Sequence, residues 1–213
     1  MSTPYNLPKA LEPFAGKIRS TEKPFLRIIP EPAEALQPWN SKIGGTPYGL
    51  NEADPEAQHN FRVLYFPEPD EDEAALTTGF EDLRSYGDLP LSAGQCFTMR
   101  FERSSGPMPE SDYRFDDIFG EDFFSRFGAE EWNIAEAYNH ISDAAGHRIG
   151  GYAEFTQEDP RSTDDPMELL FQLDTDSKIG CRWGDMGVAN FFIRPEDLQR
   201  RDFSRIFFNW DCY

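Results

Sequence analysis

The chain has 213 residues, enough for one large domain or two small ones, and carries 39 acidic against 20 basic side chains for a formal net charge of −19. A surplus of that size repels nucleic acid and anionic membranes and excludes both as expected partners. It fits either a solvated acidic surface or an acidic face that captures a basic protein. Hydrophobic residues make up only 38%, but 19 Phe and 4 Trp supply the buried area for a core, which excludes a disordered chain.

In chain order, Leu7, Leu11, Phe14 and Ile18 fall at helical spacing. Pro8 suits the first turn, and Pro13 is expected to kink the helix or delay its start. Residues 24–30 read as a short strand bounded by prolines, and residues 31–40 as a connection. The paired glycines of Ser41-Lys-Ile-Gly-Gly-Thr-Pro-Tyr48 allow positive φ or close approach of another segment. Residues 51–60 are loop-like, 61–66 form an expected strand that Pro67 ends, and 68–73 pack five acids into six positions that must face solvent. From Cys96 to Glu102 the alternation puts Phe97, Met99 and Phe101 on one strand face. Two helices are expected next, 116–127 with Ile118, Phe119, Phe123 and Phe127, and 129–145 with Trp132, Ala135, Tyr138 and Ile141; Gly146 would stop the second. Strands at 152–156, 169–173, 188–193 and 206–210 follow, with a short helix at 195–201 between the last two.

Helices at the start and middle with strands elsewhere predict an α+β fold with a mainly antiparallel sheet. The phrase Lys42-Ile-Gly-Gly recurs as Arg148-Ile-Gly-Gly. The echo fits a single domain over 1–213 made of two related lobes, about 1–110 and 147–213, joined by a helical segment 111–146. Cys96, Cys181 and Cys212 lack CxxC spacing and read as reduced thiols. No apolar run approaches ~18 residues, and no basic-then-apolar leader is seen. The expected location is cytoplasmic.

These phrases together resemble the bacterial YwqG-like proteins. The resemblance starts at Leu7-Pro-Lys-Ala-Leu-Glu-Pro-Phe14, takes in Lys23-Pro-Phe-Leu-Arg-Ile28 and the first Gly-Gly corner, and is strongest from His147-Arg-Ile-Gly-Gly-Tyr152 through residues 169–176. It continues through Trp183-Gly-Asp-Met-Gly187 and residues 188–193 to Asn209-Trp-Asp-Cys212. The chain departs from the family pattern after Tyr48, where a Trp-Pro-type loop and a strand like the later Leu170-Phe-Gln-Leu-Asp174 are missing. The resemblance implies an α+β fold of two related sheet lobes and no established catalytic residues. Such proteins look similar to neighbours of secreted bacterial toxins and their immunity partners.

The residues themselves give no catalytic constellation. Asp174, Asp176 and Asp185 flank the Trp183 turn and could gather for a cation or acid–base work, but turn capping is the plainer role. Trp183 is either a stacking platform or, as expected here, the closing piece of a core with its indole nitrogen hydrogen-bonded. Gln172 is expected on the sheet surface, unless it satisfies a buried backbone group. His147 reads as a turn histidine. A Cys181–His147 pair would need spatial proximity, and a buried thiol is the expected state of Cys181. No HxxxH, HExxH or phosphate-binding loop is present, so no metal and no cofactor are expected.

Two functions follow as expectations. The first is a non-catalytic binding protein, an immunity-type inhibitor or regulator, that docks a basic partner such as a toxin domain. Its acidic face would be Glu68, Asp70, Glu71, Asp72 and Glu73 together with the 110–122 region. The alternative is a small-ligand protein or enzyme with a pocket at the Gly-Gly corners and the Trp183 turn, built from Arg148, Gly150, Gly151, Gln172, Asp174, Trp183 and Asp185. A plain assembly subunit using the aromatic tail 206–213 ranks behind both.

Overall fold

The computed structural model describes residues 6–33, 36, 40–44, 63–68, 72, 74, 90–91 and 95–213. Its strands are β1 (Lys23–Pro32), β2 (Lys42–Gly44), β3 (Cys96–Gly106), β4 (Arg148–Gly150), β5 (Glu168–Asp174), β6 (Val188–Ile193) and β7 (Phe207–Asp211). The α-helices are α1 (Ala15–Ser20), α2 (Phe115–Phe119), α3 (Glu131–Ile141) and α4 (Pro195–Arg200). All seven strands join one sheet in the order β2-β3-β1-β4-β5-β6-β7, and each neighbouring pair is antiparallel. The α+β class stands.

Three prolines lie inside β1, although β1 has a neighbour on each side. The Ile28 N–H donates to the His147 carbonyl at 2.9 Å, so even-numbered residues of β1 point their backbone toward β4. Pro24, Pro30 and Pro32 are even-numbered, and β4 spans only the partners of Phe25 to Arg27. The missing N–H groups therefore fall where no strand needs them. The two echoed phrases adopt the same form. Both Lys42–Gly44 and Arg148–Gly150 are three-residue strands, and each ends on a glycine with positive φ, 96° at Gly44 and 73° at Gly150.

The sheet curls, because Ile43 on one edge and Phe208 on the opposite edge strand belong to the same core. That inner face holds Ile28, Leu173, Ala189 and Trp183. The outer face is covered by residues 152–156, which pack on Leu169 and Phe192, and the helices build a second core from Leu11, Ile18, Phe115, Phe119, Phe123, Phe124, Ile134 and Tyr138. Phe115 and Phe119 stack with centroids 4.6 Å apart. The Tyr138 hydroxyl donates to the Met108 carbonyl at 2.6 Å and ties α3 to the chain leaving β3.

Several expected elements differ. The N-terminal helix begins as a 3-10 turn, Lys9–Phe14, and becomes α-helical only after Pro13, as that proline requires. The 116–127 helix is α2 followed by a 3-10 segment, Phe123–Glu130, because Gly120 has φ 92° and breaks it. The 129–145 helix is shorter, since Gly128 takes φ 55°, ψ −121° and the helix ends at Ile141. Trp132 is not on the core face but 77% exposed. Residues 63–66 are not a strand, and 61–62 lie outside the described residues. Residues 152–156 are not a strand either. They form an extended buried segment whose backbone is bonded by side chains of the sheet.

Candidate functional site

Three adjacent strands place a polar row across the middle of the outer face. Arg148 on β4 is opposite Gln172 on β5, and Gln172 is opposite Asn190 on β6. All three are essentially without solvent contact, Gln172 and Asn190 at 0% exposure. Buried polar groups need partners, and the alternation that suggested a surface position for Gln172 instead turned it under the covering segment. Its Oε1 accepts the Glu154 N–H at 2.8 Å, and its Nε2 donates to the carbonyls of Ala144 at 2.8 Å and Gly146 at 2.7 Å. Asn190 Nδ2 donates to the Glu154 carbonyl at 2.8 Å. Asp211 on β7 accepts from the Thr156 N–H at 3.1 Å and the Gln157 N–H at 3.2 Å. These bonds replace the strand ladder expected at 152–156.

Arg148 donates through Nη2 to the Ala145 carbonyl at 2.6 Å and the Asp143 carbonyl at 3.3 Å, and its guanidinium lies 4.4 Å from the Phe25 ring centre. Burial, and next the like charge of Arg27, push it down to about 10. Gly151 lies against Phe25, and a Cβ there would come within 2.9 Å of the Phe25 Cβ. Asp174 caps the same junction by accepting the Gly146 N–H at 2.7 Å and the Thr175 N–H at 2.7 Å. His147 Nδ1 accepts the Asp174 N–H at 3.0 Å, which leaves Nε2 to donate toward Asp176 Oδ2 at 3.4 Å.

Above this support lies a cleft of about 430 Å³ between the end of α3 and the 152–156 segment, walled by Glu110, Ser111, Asn139, Ser142, Asp143 and Glu154. A second concavity of about 780 Å³ runs along α3, lined by Phe124, Glu131, Trp132, Ala135, Glu136 and His140, and it shares Glu110 and Asn139 with the first. The two adjoin as one groove. Its walls carry the carboxylates of Glu110, Glu131, Glu136, Asp143 and Glu154 and no Lys or Arg among the described residues. Burial, and next the Asp143 charge, raise the Glu154 carboxyl to about 7; Asp174 and Asp211 add to this and Arg148 opposes it. Burial likewise raises the Glu110 carboxyl, against a hydrogen bond from Asn139. Next to Ser111 in the chain lies a buried ionic knot. Asp112 takes Arg114 Nε at 2.8 Å and Arg161 Nη2 at 3.3 Å, and Arg161 also holds Asp159 at 2.7 Å.

Of the residues singled out in the sequence, Arg148, Gly150, Gly151, Gln172 and Asp174 come together, but beneath the cleft and not in its wall. Trp183 does not join them. It is buried on the inner face beside Phe208 and Trp210, with ring centres 6.1 and 6.0 Å away; among the described residues its indole nitrogen meets no oxygen acceptor, and the Cys181 thiol is the polar group beside it. Asp185 is exposed and pairs with Arg182 at 3.5 Å. Asp174 and Asp176 cap turns, and among the described residues no group of His, Cys, Asp and Glu is placed to hold a metal ion. Burial, and next Asp174 and Asp176, push the Cys181 thiol up to about 12, which leaves it no nucleophilic thiolate at neutral pH. Of the acidic face, Glu68 and Asp72 are exposed, whereas Asp70, Glu71 and Glu73 lie outside the described residues. Among the described residues no helix is long and apolar enough to cross a membrane.

Glu110 fell within the acidic region read from the sequence. Asn139, Asp143, Glu154 and Trp132 as groove residues did not, because each sits in a phrase whose periodicity suggested ordinary helix or strand. Residues 22–212 match the family described as a domain of unknown function (DUF1963), and the chain belongs to that family. No curated protein matches it.

Proposed function

We propose that this member of the DUF1963 family is a non-catalytic binding protein that takes a cationic segment of a basic protein partner into the groove along α3. The observation that carries this reading is the set of five carboxylates around two adjoining concavities, with the exposed Trp132 beside them. A concave surface of one sign focuses its field on the opposite charge and speeds encounter. Trp132 offers a ring on which a lysine or arginine can lie, and an apolar anchor for the residue next to it. The formal charge of −19 steers in the same direction. The raised Cys181 thiol supports a role in which Cys181 is not a nucleophile. Within this proposal, the likeness to YwqG-like proteins suggests a bacterial, cytoplasmic immunity-type inhibitor or regulator, and a toxin domain as the partner.

A second reading keeps the cleft for a small ligand. The Glu154 carboxyl at about 7 is poised near neutrality as an acid–base group would be. The two readings separate on ligand size. Titration of the protein with pentalysine, followed by calorimetry and tryptophan fluorescence at low and high salt, tests the first. Binding is expected to weaken with salt. A combined Glu110→Gln, Glu136→Gln, Asp143→Asn variant is expected to lose at least about tenfold in affinity, while Asp72→Asn changes it little. Equal binding by the combined variant overturns the groove as the docking site.

A further inference from the structure

Two fully buried side chains of the sheet hold one residue of the covering segment by both of its backbone groups. Gln172 takes the Glu154 N–H and Asn190 takes the Glu154 carbonyl, each at 2.8 Å. An apolar side chain at either position would leave a backbone group of Glu154 buried without a partner, so these two amides fix where that residue sits. The residue so fixed has a carboxyl that no donor reaches among the described residues, at the wall of a cleft of about 430 Å³. Charged groups surround it from each packed element. Asp143 lies on the link between α3 and β4, Asp174 at the end of β5, Asp211 on β7 and Arg148 on β4. Glu110 lines the same cleft. Arg148 donates to the carbonyls of Asp143 and Ala145, not to Glu154. Carboxylates therefore outnumber the single guanidinium around Glu154, and none of them can donate to it while ionised.

Resting on the groove reading, we infer that Glu154 determines cation uptake in the cleft, holding a proton while the cleft is empty and releasing it to solvent as a lysine or arginine side chain enters, with Gln172 and Asn190 as its positioning residues. The exchange balances: a neutral carboxyl and an ammonium become a carboxylate–ammonium pair and one free proton. Burial and the Asp143 charge, which place the carboxyl at about 7 instead of 4.5, agree with a cleft part-protonated at neutral pH. Affinity for a cation then falls as the pH drops below neutrality, toward about tenfold per pH unit.

Carbon-13 NMR of the glutamate carboxyls of the full chain, titrated with and without pentalysine and assigned with Glu154→Gln, tests this. A Glu154 midpoint near 7 that drops when pentalysine is added is the expected result. A midpoint in the ordinary carboxylate range overturns the inference and leaves the groove reading intact. A midpoint near 7 that pentalysine does not move overturns the groove reading, and the coupling with it. Asp143→Asn should lower the midpoint. Asn190→Ser, which frees the Glu154 carbonyl, should lower it too, and an unchanged midpoint in that folded variant removes the positioning role.

Discussion

Glu154→Gln isolates the electrostatic cost built into the cleft. Gln keeps the backbone bonds to Gln172 and Asn190 and removes the charge. The Glu154 carboxyl is raised from 4.5 to about 7 in the folded protein, so folding favours its protonated form. Stability therefore falls as the pH rises from the unfolded value through about 7, and the full cost is present above that. The shift corresponds to roughly 3 kcal/mol at about 1.4 kcal/mol per unit, and partial exposure at the cleft reduces it to about 1–2 kcal/mol. Urea unfolding of wild type and variant at about pH 5 and about pH 9 measures it. The variant should match wild type at the lower pH and exceed it by about 1–2 kcal/mol at the higher. A variant that is no more stable at high pH, or whose advantage does not change with pH, refutes the assignment of Glu154 as a strained group.

Three other outcomes follow from the packing around the sheet. Gln172→Leu strands the Glu154 N–H and the Ala144 and Gly146 carbonyls, and should cost about 3 kcal/mol in urea unfolding, with faster amide exchange at Glu154. Asp112→Asn removes the carboxylate that holds Arg114 and that Arg161 shares, leaving Arg161 with Asp159 alone, and should cost about 3 kcal/mol. Burial works to raise the Asp112 carboxyl, but Arg114 and Arg161 outweigh it and hold it below its usual value, so its contribution is present at neutral pH and lost as acid titrates it through that lowered value; acid unfolding of the variant should show less pH dependence. Gly187→Ala would set a Cβ 2.0 Å from the Asp211 carbonyl oxygen, and calorimetric melting should show a loss of at least about 2 kcal/mol.

The strands with clean alternation or long apolar runs were legible, because a strand buried on one or both faces shows it in composition alone. Phe97 and Met99, which pack on the inner core, announced β3, whereas Phe101 on the same face is exposed; Val188 to Ile193 announced β6. The 152–156 segment carried the same signal for a different reason. Tyr152, Ala153 and Phe155 are buried, but under a layer and not in a ladder. No local pattern separates the two, since the difference lies in Gln172, Asn190 and Asp211, which are 18 to 55 residues away in sequence. Trp132 misled in the same way. Its spacing with Ala135 and Tyr138 fits a helix face, yet the start of α3 at Glu131 turns Ile134 and Tyr138 inward and leaves Trp132 outside. The acidic character of the site was visible in the net charge. Its location was not, because Glu110, Asp143 and Glu154 meet only through tertiary packing.

Amide NMR mapping of the full chain during titration with pentalysine tests the groove most directly. Shifts concentrated at Glu110, Glu131 to Asp143, Glu154 and the Trp132 indole are the expected result. Shifts at Glu68 and Asp72 with none along α3, or no saturable shifts at low salt, would contradict it.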